Sequence, residues 1–174
     1  MIRLLAVCGS LRAASTNKAL LEAAAKLAPD GMIVDPFDGL AELPPFNPDI
    51  DVESAPPAVA RWRAEVGNSD GLLISSPEYA RGVPGSLKNA LDWLVSSDVF
   101  PAKPVALFNA SKRGVAMQAS LRLTLETMSA KLVECAMLTV PLLGTQTNAA
   151  AIASDADYSH RIREALKAYA RFLD

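Results

Sequence analysis

Five apolar runs alternate along this chain with segments of helical periodicity, and this alternation constrains the fold more than any other feature. The runs cover residues 2–9, 31–37, 71–76, 103–110 and 131–140. Continuous apolar runs are typical of parallel strands covered on both faces, whereas antiparallel strands usually alternate between apolar and polar residues. We therefore predict an α/β protein in which helices cover both faces of a parallel sheet and the crossovers are right-handed.

The segments between the runs carry apolar side chains at helical spacing. The clearest stripe belongs to the last segment, which places Ile162, Leu166, Tyr169 and Leu173 on one face. No repeat, low-complexity tract or linker interrupts the order of strands and helices. We therefore expect residues 1–174 to form a single domain.

Charge and hydropathy exclude several classes of protein. The chain has 17 Lys and Arg against 19 Asp and Glu, so its formal net charge is −2, which argues against nucleic-acid binding. No apolar run approaches the ~20 residues of a membrane helix, and the first run lacks the pattern of a secretory signal peptide. We expect a cytoplasmic protein whose partners are neither nucleic acids nor membranes.

The cysteines and the single histidine indicate neither a metal site nor nucleophilic catalysis. Cys8 and Cys135 match no metal or redox spacing and lie in apolar runs, where buried, unreactive thiols are common. We expect His160 on the surface of the last helix, where no Ser-His-Asp or Cys-His arrangement forms around it. The sequence therefore predicts no metal ligand and no catalytic side chain.

Three loops follow predicted strands and differ in composition from the rest of the chain. They read GSLRAASTN (9–17), SPEYARGVPG (76–85) and NASKRG (109–114), and they are the least apolar and least regular stretches. In open parallel sheets, ligands bind outside the carboxyl ends of the strands, where the strand order reverses. We expect the three loops to face one crevice that holds the ligand.

The first loop has the composition of an anion site. Gly9 allows a tight turn, the loop opens a helix whose free N–H groups favour an anion, and Arg12 suits phosphate oxygens. Neither the dinucleotide pattern G-x-G-x-x-G nor the P-loop pattern ending in G-K-[ST] is present. A monophosphate held by hydroxyls and amides fits this composition best, while the alternative is that Ser15 or Thr16 only caps the helix.

Two long motifs carry a resemblance to a known family. The segments GSLRAASTNKAL and SPEYARGVPGSLKNALDWL resemble the NAD(P)H-dependent FMN reductases, a family of flavodoxin-like proteins. The resemblance implies a three-layer sandwich with a five-stranded parallel sheet of order 2-1-3-4-5, a non-covalent FMN, and a homodimer or homotetramer. Trp93 is expected in the core or at an oligomer surface, and an exposed patch of Leu87, Leu91 and Leu94 would favour the oligomer surface.

The resemblance also implies the residues that bind the cofactor. Those expected to hold the FMN phosphate are Ser10, Arg12, Ser15, Thr16 and Asn17. Those expected to line the flavin ring are Pro77, Glu78, Tyr79, Ala80, Arg81 and Gly82, with Ser111 at the ring or the ribose. Because the flavin performs the hydride chemistry, we expect Glu78 to be a structural or oligomer-contact residue, not an acid or base.

The chain departs from the family pattern at two of these loops. Ala80 stands where the family has Asn, and Arg81 occupies a place that is often small or polar. The third loop, glycine-rich in the family, here contains one glycine and two added cations, Lys112 and Arg113. Arg81 is a candidate for contact with a substrate or a nicotinamide phosphate, and the alternative is that its side chain points into solvent. Arg12, Lys112 and Arg113 are candidates for contact with a nicotinamide 2′-phosphate.

The function that the resemblance implies is hydride transfer from NADPH or NADH to bound FMN, and then to a small-molecule acceptor. Acceptors of this family include flavins, quinones, azo compounds and chromate. Two alternatives stay open: an FMN-binding electron carrier, which the weak net charge disfavours, and a protein that binds another phosphorylated ligand without turnover. No residue in the sequence chooses between NADPH and NADH.

Overall fold

A parallel sheet runs through the protein, and its strands, numbered in chain order, lie side by side in the order 2-1-3-4-5. The computed structural model describes residues 1–51, 55–142 and 148–174. The strands are β1 (Ile2–Cys8), β2 (Met32–Phe37), β3 (Gly71–Ser75), β4 (Pro104–Asn109), β5 (Lys131–Leu132) and β6 (Leu138–Thr139). The helices are α1 (Thr16–Lys26), α2 (Pro57–Gly67), α3 (Gly85–Asp92), α4 (Val115–Thr127), α5 (Ala149–Ser154) and α6 (Ala156–Leu173).

Helices cover both faces of the sheet and enclose two apolar cores. One core lies between the sheet and α1, α5 and α6, and its side chains include Leu20, Ile162 and Leu166. The other lies between the sheet and α2, α3 and α4. This three-layer arrangement and the strand order confirm the predicted flavodoxin-like fold, because continuous apolar strands have to be buried on both faces.

The prediction of one continuous fifth strand over residues 131–140 is wrong for the middle of this run. Within this run, only β5 and β6 pair with β4, at Pro104–Val105 and at Phe108–Asn109, and a 3₁₀ turn over Glu134–Ala136 separates them. The turn brings the Glu134 carboxylate to the surface, where it pairs with Arg122 of α4. A charged residue at this point cannot stay in a strand that is buried on both faces, so the chain leaves the sheet and returns.

A sulfur atom fills the gap that this break leaves on β4. The backbone N–H of Leu107 has no strand partner at this position and donates instead to the Met137 Sδ at 3.1 Å. Cys135 lies in the same 3₁₀ turn and is exposed, so the prediction that it is a buried thiol is wrong. Cys8, at the end of β1, is partly buried.

Trp93 belongs to the core. Its side chain is fully buried, and its Nε1 donates to the Pro44 carbonyl at 2.8 Å. Leu87, Leu91 and Leu94 are also buried, so this segment presents no apolar patch that would favour an oligomer surface. No helix in the described ranges has both the length and the apolar character needed to cross a membrane.

Candidate functional site

The first loop approaches the end of β3 so closely that only glycine fits at residue 9. A Cβ atom at Gly9 would lie 2.2 Å from the Ser76 Oγ and 2.8 Å from the Ser76 Cβ. The backbone N–H of Gly9 donates to the Ser75 carbonyl at 2.9 Å. Gly9 is therefore needed for this close approach of two loops, whereas the sequence suggested a tight turn as its role.

Hydroxyl groups fix the shape of the first loop. Ser15 is the N-cap of α1, and its Oγ accepts the Lys18 N–H at 3.4 Å. The Ser10 Oγ accepts the Arg12 N–H at 3.3 Å. Both hydroxyls therefore act in local turns, as in the capping alternative, and each retains its own hydrogen as a possible donor.

A buried hydrogen bond joins α1 to β3. Asn17 is 8% exposed, and its Oδ1 accepts the Ser75 hydroxyl at 2.9 Å. This bond uses the acceptor side of the Asn17 amide, so the Nδ2 donors are available to a ligand. Asn17 and Thr16 form one wall of a cavity of about 370 Å³ at the carboxyl edge of the sheet.

The second loop ends in a tight turn over residues 79–82. Two backbone hydrogen bonds pair Tyr79 with Gly82, at 2.9 and 3.2 Å, and the central residues Ala80 and Arg81 have φ of +49° and +60°. Positive φ at both central positions is the pattern of a type I′ turn, which favours Asn and Gly. Ala80 and Arg81 therefore adopt the left-handed conformation in this loop.

Glu78 ties the second loop to the third. Its Oε2 accepts the backbone N–H of Met117 at 2.8 Å, in the first turn of α4. The N-cap of α4 is Gly114, which has no side chain to cap the helix, so Glu78 supplies the cap from another element. This contact gives Glu78 a structural role, in agreement with the sequence-based expectation.

The third loop begins at the end of β4, where Asn109 is buried. The Asn109 Nδ2 faces the Thr139 Oγ1 of β6 at 3.4 Å. Two residues later, the Ser111 Oγ accepts the Arg113 N–H at 3.1 Å and closes a short turn. The loop is thus held between β6 and the start of α4, and it forms the wall of the cavity opposite α1.

The cavity brings all three predicted loops together. Its lining residues are Thr16, Asn17, Ser76, Pro77, Glu78, Asn109, Ala110, Ser111, Arg113, Gly114, Met117 and Leu142. Five of the twelve predicted site residues are among them, namely Thr16, Asn17, Pro77, Glu78 and Ser111. The volume lies in the range of ~300–1,000 Å³ that small-molecule and cofactor sites occupy.

A second groove of about 430 Å³ lies on the other side of the first loop. Arg12 and Tyr79, both predicted site residues, line this groove together with Gly9, Pro84 and Ser86. The remaining predicted residues line neither space: Ser10, Ser15, Ala80, Arg81 and Gly82. Arg113 lines the cavity at the carboxyl edge, whereas Arg12 lines the groove.

Several lining residues were not predicted from the sequence. Ser76 and Asn109 end or directly follow strands, so the rule that ligands bind at carboxyl strand ends would have identified them. Met117 and Leu142 reach the cavity through packing of α4 and of the segment after β6, for which the sequence contains no signal.

The donors in this cavity fit the phosphate and the polar edge of a flavin mononucleotide. Thr16, Asn17 and the first N–H groups of α1 offer hydrogen bonds to an anion at a helix start. Ser111 and Glu78 line the same cavity. A parallel sheet of this order with polar loops at the switch point defines the flavodoxin-like class of nucleotide-binding proteins.

Comparison with known proteins narrows the class. The sequence model of one family, described as NADPH-dependent FMN reductase, matches residues 2–142. The chain belongs to this family.

Individual relatives support the same assignment. The chain is 40% identical over 112 residues to an NAD(P)H-dependent FMN reductase from Pseudomonas aeruginosa, covering 63% of this chain and 60% of that protein. It is 41% identical over 114 residues to a 2-hydroxy-1,4-benzoquinone reductase from a Burkholderia species, covering 63% of this chain and 61% of that protein. The matched regions thus span about three fifths of the length of these relatives.

A solved structure has the same fold over almost the whole chain. FerB, a flavoenzyme NAD(P)H:(acceptor) oxidoreductase from Paracoccus denitrificans, superposes with a TM-score of 0.80 at 24% identity. The superposition covers 99% of this chain and 97% of that one. At this identity the likeness establishes the fold.

Proposed function

We propose that this chain is an NAD(P)H-dependent FMN reductase, an oxidoreductase that transfers hydride from a nicotinamide to bound FMN. The observation that carries the proposal is the cavity at the carboxyl edge, where the start of α1 and the loops after β3 and β4 meet. Family membership supports it. The acceptor is a small molecule such as a flavin, a quinone, an azo compound or chromate, and residues 1–174 act as one domain.

The chain's own residues bind and orient the cofactor. The Asn17 amide, the Thr16 hydroxyl and the free N–H groups of α1 bind the phosphate. Pro77, Glu78 and Ser111 also line the cavity, and the Glu78–Met117 bond holds the second loop against the start of α4. When bound, FMN supplies the hydride-accepting centre, so no side chain has to transfer a proton.

A homodimer or homotetramer, a cytoplasmic location and the choice between NADPH and NADH stay predictions of the sequence. Arg12 lies in the groove beside the cavity, which leaves it available to a nicotinamide nucleotide. Arg113 lies in the wall of the cavity, where it provides a positive charge for the FMN phosphate, a role that the family resemblance implies for Arg12.

The proposal is tested by titrating the dialysed protein with FMN and following the flavin fluorescence. NADPH and then NADH are added anaerobically to the saturated protein. We expect binding at micromolar or lower concentration and bleaching of the visible flavin band by at least one nucleotide. Bound FMN that neither nucleotide bleaches would indicate a carrier, and the absence of FMN binding would overturn the proposal.

A further inference from the structure

Four cations on the loops of the site have no ion-pair partner among the described residues; Arg113 lines the cavity and Arg12 lines the groove. Arg12, Arg81, Lys112 and Arg113 lie on the three loops that form the cavity and its groove, and all four are exposed. In the described part of the chain, none of their side chains forms a salt bridge or a hydrogen bond. We call these four residues the cationic rim.

Elsewhere most cations are neutralised. Arg3 pairs with Asp35 and Glu65, and Arg63 pairs with Asp51. Six more cations form salt bridges with carboxylates: Lys18, Arg61, Lys88, Arg122, Arg161 and Lys167. Cations without an ion pair among the described residues also occur outside the rim, at Lys26, Lys103, Lys131, Arg163 and Arg171, so the rim is distinguished by its position on the loops of the site.

The single carboxylate in these loops does not neutralise the rim. Glu78 is held on the Met117 N–H at 2.8 Å and forms no salt bridge in the described residues. The loops therefore retain four positive charges against one negative charge. An excess of positive charge on the loops around a cleft raises the local concentration of anions.

The flavin phosphate accounts for only part of this charge. A phosphate monoester carries a charge of ~−1.5 to −2 at neutral pH, and its expected donors are at the start of α1. Arg81, Lys112 and Arg113 lie on the other two loops. Arg81 is moreover fixed in a left-handed conformation at the tip of its turn, and such strain persists where the surroundings hold a residue in place, often at functional sites.

We propose that the acceptor of this enzyme carries an anionic group, and that Arg81, Lys112 and Arg113 select it over neutral acceptors of the same kind. This inference rests on the proposed function. An anionic quinone, for example, gains two electrons and two protons and leaves as a hydroquinone, while the flavin that supplied the electrons returns to its oxidised form. The anionic group interacts with the rim and takes no part in the electron transfer.

The test compares 1,4-naphthoquinone with its 2-sulfonate as oxidants of the reduced, FMN-loaded protein in anaerobic stopped-flow mixing. The protein is reduced with dithionite, so that the measurement does not depend on a nicotinamide. Because the sulfonate also changes the quinone's potential, the informative quantity is how the ratio of the two rates changes with salt and between variants. In the wild type, we expect this ratio to fall as salt rises, since screening acts over ~10 Å at 0.1 M.

The variant is Arg81→Gln with Lys112→Gln. Because an exposed cation attracts an anion only weakly in water, we expect the loss of two cations to lower the sulfonate-to-neutral ratio ~3–10-fold at low salt. The matched control is Lys131→Gln with Arg171→Gln, two exposed cations that also lack ion pairs among the described residues. Lys131 begins β5 and therefore lies at the opposite edge of the sheet, so the control should leave the ratio unchanged.

The outcomes separate this inference from the proposed function. A wild-type ratio that is insensitive to salt, or equal losses with both quinones in the rim variant, would overturn the inference while the reductase assignment stands. If the variant slows only reduction by NADPH or NADH, the rim serves the electron donor and the inference is also wrong. If nicotinamides do not reduce the bound FMN, the proposed function fails, and the dithionite experiment still reports on acceptor selection.

Discussion

The carboxylate of Glu78 accepts the backbone N–H of Met117 at 2.8 Å. This bond joins the loop after β3 to the first turn of α4, and the two residues are 39 positions apart in the sequence. It caps α4, whose own N-cap is a glycine. The contact explains why a carboxylate lies in the wall of a cavity that is expected to bind a phosphorylated cofactor. The negative charge of the Glu78 carboxylate lies at the N-terminus of α4, where it interacts favourably with the helix dipole.

Replacement of Glu78 should therefore affect both stability and cofactor binding. We expect Glu78→Ala to lower the free energy of unfolding by about 1 kcal/mol, as for other lost caps, and to weaken FMN binding. Glu78→Gln keeps an acceptor oxygen and should retain most of the stability. Urea denaturation and FMN fluorescence titration measure the two effects. The control is Glu126→Ala, an exposed position in the same helix, and equal behaviour of the two alanine variants would contradict the capping role.

The close approach of Gly9 to Ser76 predicts a pair of coupled substitutions. Gly9→Ala should destabilise the protein by ~1–3 kcal/mol, because the new Cβ overlaps Ser76 atoms. Adding Ser76→Gly removes those atoms and should restore part of the loss, whereas Gly85→Ala, with open space around it, should be nearly neutral. A double-mutant cycle in urea measures the coupling, and purely additive effects would show that the loops do not touch as described.

The left-handed turn predicts that a residue which tolerates this conformation will stabilise the protein. At Ala80, φ is +49°, a conformation that is costly for alanine and better tolerated by Asn. We expect Ala80→Asn to raise the free energy of unfolding by up to about 1 kcal/mol and Ala80→Val to lower it. Thermal denaturation provides the comparison, and a more stable valine variant would contradict the turn geometry.

Asp51 predicts a dependence of stability on pH. The Ser96 hydroxyl, followed by the Arg63 guanidinium, lowers the pKa of the Asp51 carboxyl below its ordinary value. Since the pKa is lower in the folded state than in the unfolded state, the contribution is complete above the ordinary pKa of ~3.9 and declines as the pH falls toward the folded-state pKa. At pH 7, the free energy of unfolding of the Asp51→Asn variant should be about 1–3 kcal/mol lower than that of the wild type.

The difference in the free energy of unfolding between the wild type and Asp51→Asn should become smaller below about pH 4. Urea denaturation at pH 7, 5, 4 and 3 measures this gap. Asp174→Asn, at the C-terminal residue, is the control that should show little difference at pH 7. A gap that stays constant down to pH 3 would contradict the shifted pKa.

The two cysteines should differ in reactivity. Burial raises the pKa of the Cys8 thiol, whose Sγ donates to the Ser10 carbonyl at 3.6 Å, while Cys135 is exposed. Because the thiolate is the reactive form, a thiol reagent at pH 8 should label Cys135 at least about tenfold faster. In Cys135→Ser the fast phase should vanish, and a fast phase that persists would place Cys8 at the surface.

The sequence correctly predicted the fold class, the strand order through the family resemblance, and the three loops that meet at one edge. These features follow from hydrophobic periodicity, because the spacing of apolar residues within a segment indicates which of its faces are buried. The same reasoning failed at residues 133–137, where an apolar run contains one carboxylate. Whether a single charge breaks a strand depends on whether a surface partner such as Arg122 lies within reach.

The details of the site were decided by tertiary structure. The sequence did not indicate that Arg12 lines the groove beside Tyr79 whereas Arg113 lines the cavity at the carboxyl edge. It predicted Glu78 as structural without identifying Met117 as its partner, and it gave no indication of the positive φ at Ala80 and Arg81.

The physical reason is the distance along the chain. The type of element at a position depends mainly on neighbouring residues, so the sequence by itself determined the alternation of strands and helices and the polar composition of the loops. Which loop atoms meet depends on the packing of helices and strands far apart in sequence, as with Asn17 and Ser75. Only the tertiary structure decided those contacts, because a hydrogen bond needs its two partners within about 3 Å.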